Sequence, residues 1–170
     1  GVYYKRTTDS NGVAKMNINL NPDTYIITAK NPNSGEQYTN KVTALANMDQ
    51  NRDLTKYYRN DSQYTIRLLD DEGNPVGANE TVVFNINGVF YTRYTNASGV
   101  AKLNINLAPG DYILTAEYKG LKTSNKIKVL SILSAEDLKM SYRDGSKFVA
   151  TLLDGQGHVF AGQNITFNIN

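Results

Sequence analysis

The sequence predicts an all-β fold, built from tandem antiparallel β-sandwich repeats of about 85 residues. Three observations support this prediction. Apolar and polar residues alternate in short runs: in residues 102–107, Leu103, Ile105 and Leu107 alternate with lysine and asparagine. No segment of ten residues carries the 3.6-residue apolar period of an amphipathic helix. The same pattern of strands and turns then recurs along the chain.

Two pairs of segments establish the internal repeat. Residues 1–30 and 88–117 are identical at 18 of 30 positions, with an offset of 87 residues. Residues 53–76 and 137–160 share Asp, Leu, Tyr, Arg, Ser, a Leu-Leu-Asp triplet and Gly in register, with an offset of 84 residues. Self-similarity at a fixed period is typical of proteins in which each repeat is one structural unit. The chain therefore holds two periods, with one uninterrupted unit in the middle.

Seven strands are predicted in that unit, in order at residues 53–58, 63–70, 80–87, 89–95, 100–107, 111–118 and 122–130. The third contains Phe84 and Ile86, which face one way while their asparagine neighbours face the other. The fifth carries the alternation described above, and in the sixth Tyr112, Leu114 and Ala116 share a face. The segments between strands are rich in Gly, Pro, Asn and Asp, the residues of turns. Seven short strands at this spacing predict an immunoglobulin-like sandwich.

The Asn87-Gly88 dipeptide is the strongest hairpin signal in the chain. A two-residue turn of type I′ needs a positive φ at both central residues, which Asn tolerates and Gly adopts freely. Gly1 occupies the position of Gly88 in the repeat, and Asn170 occupies the position of Asn87. Joining the end of the chain to its beginning would therefore restore the same turn within one whole repeat.

The repeat divides the chain into five segments. Residues 1–45 correspond to the last four strands of one repeat, 53–130 form a complete repeat, and 137–170 correspond to the first three strands of the next. Joints lie at residues 46–52 and 131–136. Neither terminal fragment is expected to fold alone, because three or four strands bury only one face and leave a strand edge exposed.

Two arrangements suit these fragments. Either the chain is one section of a longer tandem array, or neighbouring chains complete each other's repeats end to end. Both give a linear, head-to-tail object, because a heterologous contact that does not close makes a filament. Folding the two fragments of one chain onto each other would bypass the complete repeat, and the short joints disfavour that path. Since the joints also lack Pro and Gly, successive repeats are expected to be stiffly coupled.

Composition excludes several classes of function. The net charge of +2 comes from 18 basic and 16 acidic residues scattered along the chain, so nucleic acid is not an expected partner. The absence of cysteine excludes disulfides, thiol catalysis and thiolate metal sites. No apolar run is long enough to span a bilayer, so no membrane contact is expected from these residues. No signal segment opens the chain, so an export signal would lie outside it.

Three motifs carry a family resemblance: FNINGV at residues 84–89, SGVAKLNINL at 98–107, and Leu-x-Pro-x-x-Tyr at 20–25 and 107–112. With these motifs the chain resembles the immunoglobulin-like repeats of adhesin-like surface proteins from methanogenic archaea, over essentially its whole length. The resemblance implies an extracellular, cell-surface location and a structural or adhesive role. It implies as partners other copies of the chain or adjacent tandem repeats, and cell-surface glycans or other cells.

Four Asn-x-Ser/Thr triplets are candidate N-glycosylation sites in an exported protein: Asn60, Asn79, Asn96 and Asn164. Asn60 and Asn96 lie in predicted turns and are the better candidates. Asn79 and Asn164 have nearly equivalent positions ahead of the FNIN strand, so a glycan there would recur along the array. An Asn- and Thr-rich chain also produces such triplets by chance.

No catalytic or metal-binding set emerges from the sequence. The acidic loop at residues 70–74 has oxygens for Ca²⁺, but its counterpart at 154–158 has lost two of three acids, which favours a polar hairpin loop. The only histidine, His158, has no partner for a triad or a zinc site and is interpreted as an exposed loop residue. We therefore expect no enzyme activity, no metal and no cofactor.

Two further residue sets have a functional and an ordinary interpretation. An isopeptide bond between Lys and Asn would be sought at the recurring pairs Lys15/Lys102 and Asn40/Asn125, but most lysines here occupy polar positions. The tyrosines of the candidate sugar-stacking platform are Tyr57, Tyr58, Tyr91 and Tyr94. Tyrosine that alternates with polar residues is more often ordinary sheet packing.

The sequence thus supports two functional hypotheses. The first is a non-enzymatic extracellular structural or adhesin repeat module that forms a linear head-to-tail stalk or filament on the cell surface. The second is a carbohydrate-binding surface module that recognises cell-wall or host glycans, which would need an exposed aromatic patch.

Overall fold

The computed structural model describes every residue from Gly1 to Asn170 and contains strands, turns and no helix. The all-β prediction is confirmed. Nothing in the chain forms a helix that could cross a lipid bilayer. The strands are β1 (Asp23–Lys30), β2 (Gln37–Ala44), β3 (Met48–Asp49), β4 (Leu54–Tyr57), β5 (Gln63–Leu68), β6 (Thr81–Ile86), β7 (Val89–Tyr94), β8 (Val100–Asn104), β9 (Gly110–Tyr118), β10 (Leu121–Leu130), β11 (Leu133–Ala135) and β12 (Ala150–Leu152).

The chain divides into two compact units. One consists of Gly1–Ala46 with Asp71–Gly73, and contains the antiparallel hairpin β1–β2, in which Asp23 pairs with Ala44 and Lys30 with Gln37. The other consists of Asn47–Asp70 and Asn74–Asn170. This second unit contains all seven strands predicted for the complete repeat, as β4 to β10.

The complete repeat is a sandwich of two sheets. Five strands form one sheet in the order β4-β10-β9-β6-β7, and three form the other in the order β3-β5-β8. Every pairing in these sheets is antiparallel except that of β4 with β10, which is parallel from Ile127↔Leu54 to Leu130↔Tyr57. The parallel pair arises because the chain leaves β3 in one sheet and enters β4 in the other, past Gln50 at a φ of 55°.

The core lies between the two sheets and is made of the residues that alternate inward. Tyr64 and Phe84 meet at its centre, edge to face, with ring centroids 5.8 Å apart. Burying each large apolar side chain stabilises the repeat by about 1.5–3 kcal/mol. The buried apolar residues are Tyr64, Ile66, Leu68, Val76, Val82, Phe84, Ile86, Ala101, Leu103, Ile105, Leu114, Ala116, Tyr118, Ile127 and Val129.

The turn between β6 and β7 has the backbone of a type I′ hairpin. Asn87 has a φ of 53° and Gly88 a φ of 77°, and Ile86 pairs with Val89 across the turn. Positive φ at both central residues gives the turn the twist of its flanking strands.

The segments between repeats contain short strands. β3 lies within the predicted joint 46–52 and pairs with β5, Met48 with Leu68 and Asp49 with Arg67. A salt bridge of 2.5 Å between Asp49 and Arg67 reinforces this pair. β11 lies within the predicted joint 131–136 and pairs with β12 in the same way. Strand pairing therefore extends into both predicted joints.

The terminal segments form only part of their expected strands. Of the four strands expected in residues 1–45, the last two are present as β1 and β2, and residues 1–22 contain none. Of the three expected in 137–170, only β12 forms, with an isolated bridge beyond it. The cause is the absence of partner strands: Phe84 is fully buried in the complete repeat, whereas Phe167, its counterpart, is 56% exposed.

Candidate inter-repeat interface

The connection between the complete repeat and the next consists of two residues. β10 ends at Leu130 and β11 begins at Leu133. The Ser131 hydroxyl donates to the carbonyl oxygen of Leu133 at 2.6 Å and accepts from its N–H at 3.2 Å. This pair of bonds holds the backbone in a compact turn. The last strand of one repeat therefore leads directly into the first strand of the next.

The next repeat starts with the same backbone bonds as the complete one. Leu69 donates its N–H to Asn47 O at 2.8 Å, and the equivalent Leu153 donates to Ile132 O at 2.7 Å. Each repeat also has an isolated bridge at the same place, Leu69 with Pro75 and Leu153 with Val159. The aromatic pair of the core recurs as Phe148 and Phe167, 5.7 Å apart and edge to face.

A loop of the complete repeat contacts a loop of the next repeat. The Asn60 side chain donates from Nδ2 to Gly155 O at 2.7 Å, and its Oδ1 accepts the N–H of Ser62 at 2.8 Å. Asn60 also donates its backbone N–H to Tyr57 O at 3.0 Å. These bonds fix the loop after β4, so that its amide group points at the following repeat.

Tyr57, at the end of β4, lies against Gly157 in the same pair of loops. A Cβ atom built on Gly157 would overlap Cε2 of the Tyr57 ring. Gly157 has a φ of 85°, in the left-handed region that favours glycine. A glycine at this position therefore meets two requirements, one of backbone conformation and one of space.

Asp154 shapes the loop that receives Tyr57. Its Oδ1 accepts the backbone N–H groups of Gln156 and His158, both at 2.9 Å. The hydrogen bond from His158 N is the main cause that lowers the pKa of Asp154 below its usual value, so the carboxylate stays ionised and the loop stays closed. The imidazole of His158 is exposed and lies 3.5 Å from the carboxylate.

A polar network at one edge of the sandwich joins β5, β10 and the connection from β3 to β4, and none of its contacts was predicted from the sequence. Asn125 Oδ1 accepts from the buried Tyr64 hydroxyl at 2.7 Å and from Asn51 Nδ2 at 3.0 Å. Burial raises the pKa of Tyr64, so its hydroxyl keeps the proton it donates. Asp53 accepts from Lys126 N at 2.8 Å and from Asn125 Nδ2 at 3.3 Å, and these two bonds lower its pKa.

This network bears on the isopeptide hypothesis. The Asn125 amide is bonded to Tyr64, Asn51 and Asp53, whereas Lys102 lies exposed on β8, in the other sheet, beside Thr65. The two candidate residues of the complete repeat are therefore not brought together.

Lys56 is the one buried charged residue of the repeat, and it is not among the residues predicted from the sequence. Its Nζ donates to Ile105 O at 2.9 Å and to Ser62 O at 3.1 Å. Burial lowers the pKa of Lys56, while Asp61 acts in the opposite direction. Lys56 lies on β4 in the five-stranded sheet, and Ile105 directly follows β8 in the three-stranded sheet. The bond between them therefore connects the two sheets. A lysine at an inward position of an alternating strand is the signal that would have revealed it.

The four candidate glycosylation residues lie in different environments. Asn60 already uses its amide nitrogen in the bond to Gly155. Asn96 is exposed, and its Oδ1 accepts the N–H groups two and four residues later, both at 3.0 Å, which holds it in an Asx turn. Asn79, at a φ of 70°, and Asn164 are both exposed. Asn96 therefore combines an exposed side chain with an ordered turn.

The four tyrosines of the candidate stacking platform do not share a surface. Tyr58 and Tyr91 pack against the core, and Tyr57 lies at the inter-repeat contact. Only Tyr94, 63% exposed, projects from the outer side of β7. There it shares its face with Phe90, which is 70% exposed.

The acidic loop at 70–74 closes on itself: Asp70 Oδ1 accepts the N–H of Asn74 at 2.8 Å. No group of three His, Cys, Asp or Glu side chains in residues 1–170 lies close enough together to hold a metal ion.

No protein-family model matches this chain, and no curated protein sequence matches it. Among solved structures, it is similar to that of the surface layer protein SbsC, domains 4–9, with 13% sequence identity and a TM-score of 0.35 over 92% of this chain. The chain spans 31% of the length of that structure. An all-β fold of several packed sheets is thus what the structure establishes about this chain.

Proposed function

We propose that this chain is part of a non-enzymatic, extracellular stalk, in which immunoglobulin-like repeats follow one another head to tail at the cell surface. The observation that carries the proposal is the direct passage from β10 into β11 through Ser131 and Ile132. A connection this short leaves no room for a flexible linker, so each added repeat extends the array. Its partners are adjacent repeats or other copies of the chain.

The absence of an enzymatic role is part of the proposal and rests on residue content. A single histidine and no cysteine leave few nucleophile–base combinations. Only one of the three acids of the 70–74 loop is retained in its counterpart at 154–158, so no acid pair recurs between repeats. The archaeal adhesin-like resemblance of the FNINGV and SGVAKLNINL motifs supports the surface location, and glycosylation of Asn96 belongs to the same proposal.

Immunogold electron microscopy tests the surface location. An antibody raised against the 170-residue chain should label intact cells of the source organism, away from the membrane, and protease added outside should remove the label. Labelling that requires permeabilised cells would contradict the proposal.

The mass of the native material on a denaturing gel tests how the array is built. Long covalent arrays should run far above the 18.9 kDa of this chain, whereas strand exchange between subunits would give pieces near that mass. A soluble, unassembled species of about 19 kDa would contradict both forms of the stalk.

A second function, glycan binding, is favoured by one observation. Phe90 and Tyr94 lie four residues apart on the edge strand β7, and they face solvent on the same side. Phe90 borders a shallow cleft of about 210 Å³, whose other walls are Val83, Asn85, Thr115, Glu117 and Lys122. An exposed ring beside amide, hydroxyl and charged groups is the combination that stacks on a sugar and bonds its hydroxyls.

A glycan array decides this second function. The chain should retain specific glycans, and a Phe90→Ala/Tyr94→Ala variant should lose them. Tyr142→Ala, which removes an exposed tyrosine elsewhere, is the matched control and should leave binding unchanged. Equal retention by all three proteins would rule out this face as the site.

A further inference from the structure

The loop 57–60 of the complete repeat and the loop 154–158 of the next one form a specific contact. We propose that this contact is a lock that fixes the angle between successive repeats, with the following repeat of the same chain as its partner. The inference rests on the proposed stalk and adds to it the device that makes a joint stiff.

The first part of the lock is steric. The Tyr57 ring is half-buried and occupies the space where any residue other than glycine would place its Cβ at position 157. Two non-bonded carbon atoms cannot overlap in this way, so a larger residue must displace either the ring or the whole loop. Gly157 is therefore the socket of the lock, and Tyr57 is the side chain that fills it.

The second part is a directional bond beside the first. The hydrogen bond from Asn60 Nδ2 to Gly155 O joins residues 95 positions apart in sequence. The backbones also approach closely here, since a Cβ on Gly155 would lie 3.4 Å from Arg59 O and 3.6 Å from the Cα of Asn60. A ring in a socket restricts translation, and a directional bond at a second point restricts rotation. Together they leave the joint little freedom.

The corresponding residues of other repeats would not make this lock. Ser141 stands at the position of Tyr57, and Asp144 at that of Asn60. Ser141 has no ring to fill a socket. The Asp144 carboxylate accepts the N–H groups of Ser146 and Ser141, at 2.8 and 2.7 Å, and has no N–H to donate. The receiving loop varies too, because Asp71 stands at the position of Gly155. The lock is thus encoded joint by joint, and an array would contain stiff and released joints in an order set by these residues.

Distance measurement between two spin labels tests the lock in the full 170-residue chain. The chain has no cysteine, so Lys102→Cys and Thr151→Cys give two unique, exposed labels, one in each repeat. The labelled chain with unmodified loops should give a narrow distribution of the distance between the two labels. Tyr57→Ser/Asn60→Asp, which installs the residues of the next repeat, should broaden it roughly twofold or more because the joint is released. Tyr94→Ser is the control away from the joint and should leave the width unchanged.

A second variant separates release of the joint from damage to the complete repeat. Gly157→Ala lies outside that repeat and should also broaden the distribution. Gly73→Ala is its matched control, because Gly73 has nearly the same φ, 84° against 85°, but only Leu45 Cδ1 within 4 Å, at 3.5 Å. It should leave the distribution narrow. A broad distribution in the unmodified loops, or a narrow one in Gly157→Ala, would overturn the lock. Neither result bears on the proposed stalk, because the labelling of intact cells tests that proposal. The two proposals can therefore fail separately.

Discussion

Asp9 and Asn96 occupy the same place in two successive repeats and make the same bonds. The Oδ1 atom of each accepts the backbone N–H groups two and four residues later, at 2.9 to 3.0 Å. The turn needs an acceptor oxygen at this distance from the backbone, and a carboxylate or an amide supplies it equally well. At the residue scale, turn chemistry is local, so the sequence predicts it well.

Gly99, three residues after Asn96, is constrained by the core as well as by the turn. It has a φ of 73°, and a Cβ there would lie 2.9 Å from the carbonyl oxygens of Leu68 and Val76. We expect Gly99→Ala to destabilise the complete repeat by roughly 2 kcal/mol or more, because neither backbone oxygen can move aside cheaply. Thermal unfolding monitored by circular dichroism measures the loss.

Gly12 is the natural control for that substitution. It is the counterpart of Gly99 in the preceding repeat, has a φ of 74°, and has nothing within 4 Å of a built Cβ. Gly12→Ala should therefore leave the melting temperature of the complete repeat almost unchanged. Equal shifts for the two variants would show that backbone conformation alone, without the close approach to Leu68 and Val76, sets the cost.

The strands show which elements a sequence pattern predicts and which it does not. Strands with clear alternation, such as β6 and β9, are present where the sequence predicts them, since side chains that alternate inward are buried. β3 and β11 were not predicted as strands, because two or three residues are too few to show a period. They form because a neighbouring strand, β5 or β12, offers a free edge.

The Asn125 network is expected to hold the edge strand β4 and its neighbour β10 onto the three-stranded sheet. Asn125→Ala leaves the buried Tyr64 hydroxyl without its acceptor and removes one of the two hydrogen bonds that Asn51 Nδ2 donates, the other being to Thr123 Oγ1 at 3.0 Å. We therefore expect a loss of about 2 kcal/mol in the free energy of unfolding. Tyr64→Phe removes only one bond and installs the residue found at the equivalent position 148, so about 1 kcal/mol is expected. Urea unfolding measures both, and a smaller loss for Asn125→Ala than for Tyr64→Phe would contradict this role.

At the scale of the whole molecule, we propose that the folding unit starts before the predicted boundary. The sequence places the start of the complete repeat at residue 53, but β3, the Asp49–Arg67 salt bridge and the bond from Asn51 to Asn125 all lie earlier. A fragment 47–130 should therefore unfold cooperatively, at a temperature about 5–10 °C higher than a fragment 53–130. Equal melting temperatures would show that β3 adds no stability.

The fragment 1–46 supplies the comparison. Its hairpin β1–β2 carries apolar residues that are buried at the equivalent positions of the complete repeat, and Tyr3 ahead of it is 95% exposed. A two-stranded hairpin without a covered face is marginal in water. We expect no cooperative melt for 1–46 alone, and a sharp transition would contradict the view that each repeat needs both of its halves.

The sequence by itself determined the all-β class, the repeat, seven of the strands and the main turns, because each depends on neighbouring residues or on a short period. Only the tertiary structure decided that β4 runs parallel to β10, that Lys56 is buried, and that Tyr57 and Asn60 meet the loop of the next repeat. The physical reason is the same in each case. These features arise from contacts between residues far apart in the chain, and their energy depends on which surfaces pack together. A local pattern of apolar and polar residues does not predict that packing.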